Sequence, residues 1–186
     1  MGLRIIAGEF KGKKLYSVRG KTIRPTADRT RESMFNILSH RVPGTIVLDL
    51  FAGTGALGIE ALSRGAESAV FVDNSRGSLS VIRRNVESCA LDDRANIVKW
   101  NIEKNLNCLK AVKTVFGLVF IDPPYHRNLL KPTLFNLDQS KSLKNGSCIV
   151  VEHASLEPIP TDLLAFELTD QRRYGKTLVS FLNYVI

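Results

Sequence analysis

From Thr45 onward the chain alternates short apolar runs with stretches whose apolar residues recur at helical spacing. The runs Thr45–Leu50, Ser68–Asp73, Ala95–Trp100, Phe116–Ile121 and Ser147–Glu152 are rich in Val, Ile, Leu and Phe. Near-continuous runs of that length suit strands buried on both faces. Helices are expected over Ala56–Ser63, Gly77–Cys89, Glu103–Val112 and Leu129–Leu143, the last stopping at Asn145-Gly146. Two last strands, Ala165–Tyr174 and Thr177–Tyr184, flank Gly175-Lys176 as a hairpin. Alternating βα units imply an α/β fold, with a parallel sheet, helices on both faces and right-handed crossovers. Ligands then sit beyond the carboxyl ends of the strands. Upstream, residues 3–10 and 13–19 read as a small hairpin about Lys11-Gly12, and Pro25 leads into a helix from about Asp28 to His40. The expected division is a basic N-terminal hairpin or arm over 1–27 and one domain over 28–186.

Two stretches carry chemistry. In TIVLDLFAGTGALG, Gly53, Gly55 and Gly58 make a G-x-G-x-x-G spacing at the junction of strand and helix. Glycines there let a backbone approach a ligand, and an acid after the next strand, Asp73, can accept hydrogen bonds from ribose hydroxyls. Glycine turns also join strands to helices with no ligand at all. The second stretch, Asp122-Pro123-Pro124-Tyr125, follows the fourth strand directly. Two prolines fix the backbone and remove two N–H groups. An acid, a rigid carbonyl and an aromatic ring at the ligand edge can receive a flat group that bears an amine.

Charge sharpens the picture. The net charge of this 186-residue chain is +8, and residues 1–31 hold nine Lys/Arg against Glu9 and Asp28, leaving +1 for the rest. A localised basic face is the footprint of a polyanion site. No apolar run reaches the ~18 residues of a membrane span. Cys89, Cys108 and Cys148 are widely spaced, which argues against zinc and disulfides and fits a reducing cytoplasm. Neither a metal site nor a membrane anchor is expected. Of the histidines, His126 lies near the site, while His40 and His153 read as structural or solvated.

RIIAGEFKGKKL, RPTADRTRESMFNIL, DLFAGTGALGIEAL, DPPY and YGKTLVSF, in that order, resemble bacterial 16S ribosomal RNA guanine-N2 methyltransferases of the RsmD type. These are class I, S-adenosylmethionine-dependent enzymes, and the likeness spans essentially the whole chain. It implies a Rossmann-like, mostly parallel seven-stranded sheet of order 3-2-1-4-5-7-6 with an antiparallel last strand. It implies S-adenosylmethionine as cofactor, held by Asp49, Phe51, Ala52, Gly53, Gly55, Asp73, Asn74, Asn101 and Ile102. Arg24-Pro25-Thr26 resembles the segment that folds over the cofactor's methionine end, adding Thr26. Asn101 stands where the family usually has an acid for the adenine amine, and its side-chain carbonyl can still accept that bond.

The resemblance further implies that Asp122, Pro123, Pro124 and Tyr125 hold the target guanine. It points to ribosomal RNA, within an assembling or assembled 30S subunit, as the partner of a monomeric enzyme. Arg4, Lys11, Lys13, Lys14, Arg24, Arg29 and Arg31 are the candidate RNA contacts. An exocyclic amine of DNA or another RNA, such as adenine N6, is the alternative substrate. A dehydrogenase has no use for DPPY, and a non-enzymatic RNA-binding module leaves both site motifs unexplained.

Overall fold

A computed structural model describes residues 2–18 and 25–186, the first three of the second segment by backbone alone. Seven strands form one sheet: β1 (Ile46–Leu50), β2 (Ser68–Asp73), β3 (Ala95–Lys99), β4 (Phe116–Ile121), β5 (Leu143–Ala154), β6 (Phe166–Tyr174) and β7 (Thr177–Tyr184). Their spatial order is β3-β2-β1-β4-β5-β7-β6, as the resemblance implies. The first five pair in parallel, and β7 runs antiparallel to both β5 and β6.

Strand residues alternate between two apolar cores. Val47, Phe71 and Phe120 face one layer, with α1 (Pro25–Ile37), α2 (Ala56–Ser63) and α3 (Arg76–Ser88). Leu48, Val72 and Ile121 face the other, with α4 (Cys108–Val112) and α5 (Leu130–Gln139). Burial on both sides is why these strands read as unbroken apolar runs. The crossovers change face between β1 and β4, which opens a crevice at their carboxyl ends. Among the described residues no helix is long and apolar enough to cross a membrane.

Three expected elements differ. The N-terminal hairpin is short and irregular: it keeps one antiparallel bridge, Arg4 with Lys14, and its arms are joined by Ile5 N–H to the Lys13 carbonyl, Gly12 N–H to the Ile5 carbonyl and Leu15 N–H to the Leu3 carbonyl. Its backbone finds other partners: the N–H groups of Ile6 and Ala7 donate to the Glu60 carboxylate at 2.7 and 3.0 Å, and Phe10 N–H donates to Ser63 Oγ at 3.0 Å. Leu3, Ile5 and Leu15 are buried in the first core, so this segment is a strap laid over α2. Gly8 crosses so close to α2 that a Cβ would stand 1.9 Å from the Ser63 carbonyl oxygen. The far end of the expected second strand, residue 19, lies outside the described residues.

The helix expected over Glu103–Val112 survives only as α4. Upstream, the Asn101 and Asn105 side chains accept the N–H groups of Glu103 and Asn107, at 3.1 and 3.0 Å. Such side-chain turns compete with a helix for the same donors. The helix expected over Leu129–Leu143 ends at Gln139, and Asn145-Gly146 lies inside β5. The β4–β5 register jumps there from Phe116↔Leu143 to Leu118↔Cys148, with Gly146 at φ +83°. The dipeptide forms a bulge rather than a helix end.

Candidate functional site

Two walls meet at the β1–β4 crevice. The first is the turn from β1 into α2. Phe51, Gly53 and Gly55 all have positive φ, at 58°, 58° and 76°. A left-handed non-glycine residue costs roughly 1–2 kcal/mol, so something must hold Phe51 there. Two buried acids clamp the turn. Asp73 accepts Gly53 N–H through Oδ2 at 2.9 Å and Ser75 N–H through Oδ1 at 2.8 Å. Asp49 accepts Gly58 N–H at 3.0 Å.

Burial pushes the Asp49 carboxyl up to about 8, against the Gly58 hydrogen bond and with the Asp73 charge. Asn85, fully buried on α3, donates to the Thr54 carbonyl at 2.9 Å and to the Tyr16 carbonyl at 3.1 Å, tying the turn to the strap. Gly58 serves packing: a Cβ there would lie 2.3 Å from the Phe71 ring.

The second wall is the segment after β4. Asp122 and Pro124 are exposed, Pro123 is buried and Tyr125 is half-buried. Tyr125 Oη donates to Glu152 Oε1 at 3.0 Å and lies 3.2 Å from Thr177 Oγ1. Desolvation, with the nearby carboxylates, raises its pKa well above that of a free phenol, so it stays protonated. The ring is thereby anchored to β5 and β7. His126 takes φ +62° and meets the Tyr125 ring edge-on at 6.4 Å between centroids.

Between the walls lies a cavity of about 740 Å³. Asp49, Phe51, Ala52, Gly53, Asp73 and Asn74 line one side; Asp122, Pro123, Pro124 and Tyr125 line the other. A second cavity of about 400 Å³ adjoins it and shares Asp122, Tyr125, Thr54, Ala56 and Leu57.

Other expected residues fall elsewhere. Gly55 is the N-cap of α2. Asn101 lines a separate groove of about 320 Å³, which Asn74 also lines, and its carbonyl is engaged by Glu103 N–H. Ile102 is buried in the second core. The side chains of Arg24 and Thr26 lie outside the described residues. Arg4, Lys11, Lys13, Lys14 and Arg29 are exposed, and the Lys13 ammonium donates to the Ser88 carbonyl.

Arg31 is a correction. It is buried, donates to the Arg4 carbonyl, and pairs with Asp28 at 3.2 Å and with the fully buried Glu60 at 3.8 Å. The guanidinium joins Arg64, whose Nε donates to Glu60 Oε1 at 2.8 Å, in neutralising that interior carboxylate instead of meeting solvent.

Two pairs escaped sequence reasoning. Glu103 and Arg127 form an ion pair at 3.0 Å on the rim of the larger cavity. Arg127 follows two residues after Tyr125, at the ligand edge, which is the one signal the sequence offered for it. Glu152 and Thr177 come from strands distant in sequence, and no motif marks them. His153 is buried, with ring nitrogens 2.8 Å from Ser180 Oγ and 2.7 Å from the Glu157 carbonyl, a structural role as expected. All three cysteines are buried free thiols.

A family model described as "Conserved hypothetical protein 95" matches residues 3–183. YlbH of Bacillus subtilis is 36% identical over 178 residues, covering 96% of this chain and 97% of that one. The Ribosomal RNA small subunit methyltransferase D of Escherichia coli is 35% identical over 159 residues, covering 86% and 78%. The solved structure of yhhF from Escherichia coli is 30% identical with a TM-score of 0.82, covering 100% of this chain and 99% of that one. With the strand order, the clamped glycine turn and the DPPY wall in place, the chain belongs to the RsmD family of class I methyltransferases.

Proposed function

We propose that the protein transfers a methyl group from S-adenosylmethionine to the exocyclic N2 amine of a guanine in small-subunit ribosomal RNA, within the 30S particle or its precursor, in the cytoplasm. The observation that carries this reading is the pair of adjoining cavities with Asp122 and Tyr125 in their common wall. One cavity suits a nucleoside cofactor and the other a base, and the shared wall is where transfer belongs.

The residues present fit that cofactor. Each Asp73 oxygen takes one backbone N–H, and an ionised carboxyl offers about four acceptor sites in all, so acceptor capacity is left for ribose hydroxyls. A Cβ on Gly53 would meet nothing closer than the Phe51 carbonyl oxygen at 3.8 Å, so its backbone is open to a ligand. Asp49 and Asn74 complete that side. When bound, the cofactor supplies an electrophilic methyl on a sulfonium.

The chain itself supplies position and electrostatics. The N2 lone pair of guanine is delocalised into the ring, so the amine must be aligned. The Asp122 carboxylate and the Pro123 carbonyl can each accept one amine hydrogen, favouring a pyramidal nitrogen aimed at the cofactor side. Pro123 and Pro124 hold that carbonyl rigidly. The Tyr125 ring, braced by Glu152 and Thr177, offers a face on which a flipped base can stack. The amine proton leaves once the nitrogen carries positive charge, and no covalent nucleophile is required.

Labelled S-adenosylmethionine offered with naked 16S RNA, 30S particles, DNA and protein tests the reading. N2-methylguanosine should be recovered from small-subunit RNA. Label found only in adenine, DNA or protein would overturn it.

A further inference from the structure

The smaller cavity holds a second carboxylate. The parallel register sets Ile121 of β4 against Val151 of β5, so the next residues, Asp122 and Glu152, stand side by side at the carboxyl edge. Neighbouring strands lie about 4.8 Å apart, and both side chains line the 400 Å³ cavity. Lys176 lines it as well, as does Arg31, whose charge is already paired with Asp28 and Glu60. Glu152 Oε1 accepts the Tyr125 hydroxyl, which uses one of the carboxylate's several acceptor sites.

Guanine presents two adjacent donors on its pairing edge, the N2 amine and N1–H, with the O6 acceptor beyond. Adenine presents an acceptor at N1. Flipped bases are read along this edge. We propose that Glu152 accepts the N1–H of the target guanine beside Asp122, which holds N2, and so makes the site specific for guanine; this rests on the function proposed above. The mechanism of transfer requires only an aligned amine, whereas a neighbouring carboxylate also requires a donor at N1. A base with an unprotonated N1 would set one lone pair against another.

The test uses small-subunit RNA carrying guanine or 2,6-diaminopurine at the methylated position, mapped first with the unaltered enzyme. Diaminopurine keeps the 2-amine but turns N1 into an acceptor. The unaltered enzyme should favour guanine by on the order of 10²-fold in kcat/KM. Glu152→Gln, whose amide can donate, should lose guanine activity and narrow or invert that ratio. Tyr125→Phe removes only the hydroxyl that Glu152 holds, and should keep the ratio while lowering activity on both bases.

Equal use of both bases by the unaltered enzyme would overturn the proposal without any variant. So would a Glu152→Gln protein that slows both bases alike, or a Tyr125→Phe protein that reproduces its loss of discrimination. If the unaltered enzyme makes no N2-methylguanosine at all, the underlying function fails instead.

Discussion

Asp73 has structural work beside the ribose contact proposed for it. Asp73→Ala removes the acceptor of two backbone N–H groups in the glycine turn. S-adenosylmethionine affinity should fall by about 1.5–3 kcal/mol, the range for hydrogen bonds to a charged group, and stability should fall by about 1–3 kcal/mol for the stranded donors. Calorimetry beside a denaturation curve separates the two losses; unchanged affinity in a folded variant would remove Asp73 from the cofactor site. Asp49 behaves differently. Its carboxyl holds a proton up to about 8 in the fold, whereas an unfolded Asp ionises near pH 4. Its contribution to stability is therefore complete below about pH 4 and is lost as pH rises towards 8. Asp49→Asn should flatten the decline of stability between pH 5 and pH 8, read by urea denaturation at each pH. Asp122→Ala should cost kcat something like 10²–10³-fold with little change in RNA affinity. Tyr125→Ala should weaken the hold on the base by about 1–3 kcal/mol. Single-turnover methylation of 30S particles distinguishes these outcomes, and a folded Asp122→Ala protein of near-normal rate would defeat the mechanism.

At the scale of elements, local signals and long-range partners explain what the sequence revealed. α2, β2 and β4 occupy Ala56–Ser63, Ser68–Asp73 and Phe116–Ile121 as expected, because each is an apolar segment bounded by turn residues or charge. Expectation and structure part where side chains capture backbone groups. Asn101 and Asn105 take donors from the start of a helix, and Glu60 and Ser63 take those of the strap. The first capture uses short-range Asn chemistry, which is present in the local sequence. The second joins residues more than fifty positions apart and leaves no local trace. The site divides the same way: the glycine turn and DPPY are contiguous motifs, while Glu152 and the Glu103–Arg127 pair exist only once the sheet is assembled. The strap itself is testable. Glu60→Ala would remove the buried carboxylate that Arg31 and Arg64 share, leaving Arg31 with Asp28 alone and the strap N–H groups unpaired, so stability should drop by about 3–5 kcal/mol. Amide exchange of Ile6 and Ala7 should quicken in that variant; full protection would show that the strap is held by its apolar residues alone.

Over the whole molecule, the excess charge gathers in residues 1–31, and the described strap within them, 2–18, is fastened to the body at several points. Lys11, Lys13 and Lys14 stand exposed on the strap, so they present a fixed array rather than a loose tail. Replacing all three by Ala should weaken RNA binding and reduce its log–log salt slope by roughly 0.7–0.9 for each phosphate left without its cation. Cofactor affinity should hold steady. Filter binding across a salt series checks this, and an unaltered slope would move the RNA surface elsewhere. Arg31 should add nothing to that slope, since its charge is neutralised inside the fold.

The strand order also imposes a timetable on synthesis. β1 sits between β2, its near neighbour in sequence, and β4, which the ribosome delivers only after β3 and α4. Asp49, Gly53 and Asp73 therefore emerge, and can be assembled, before Asp122 and Glu152 exist. Until β4 arrives, β1 presents a bare apolar edge with unpaired backbone groups, the kind of surface that seeks strands in other chains. A nascent chain stalled after α4 would carry the first wall of the crevice without the second, and would be prone to aggregate along that edge.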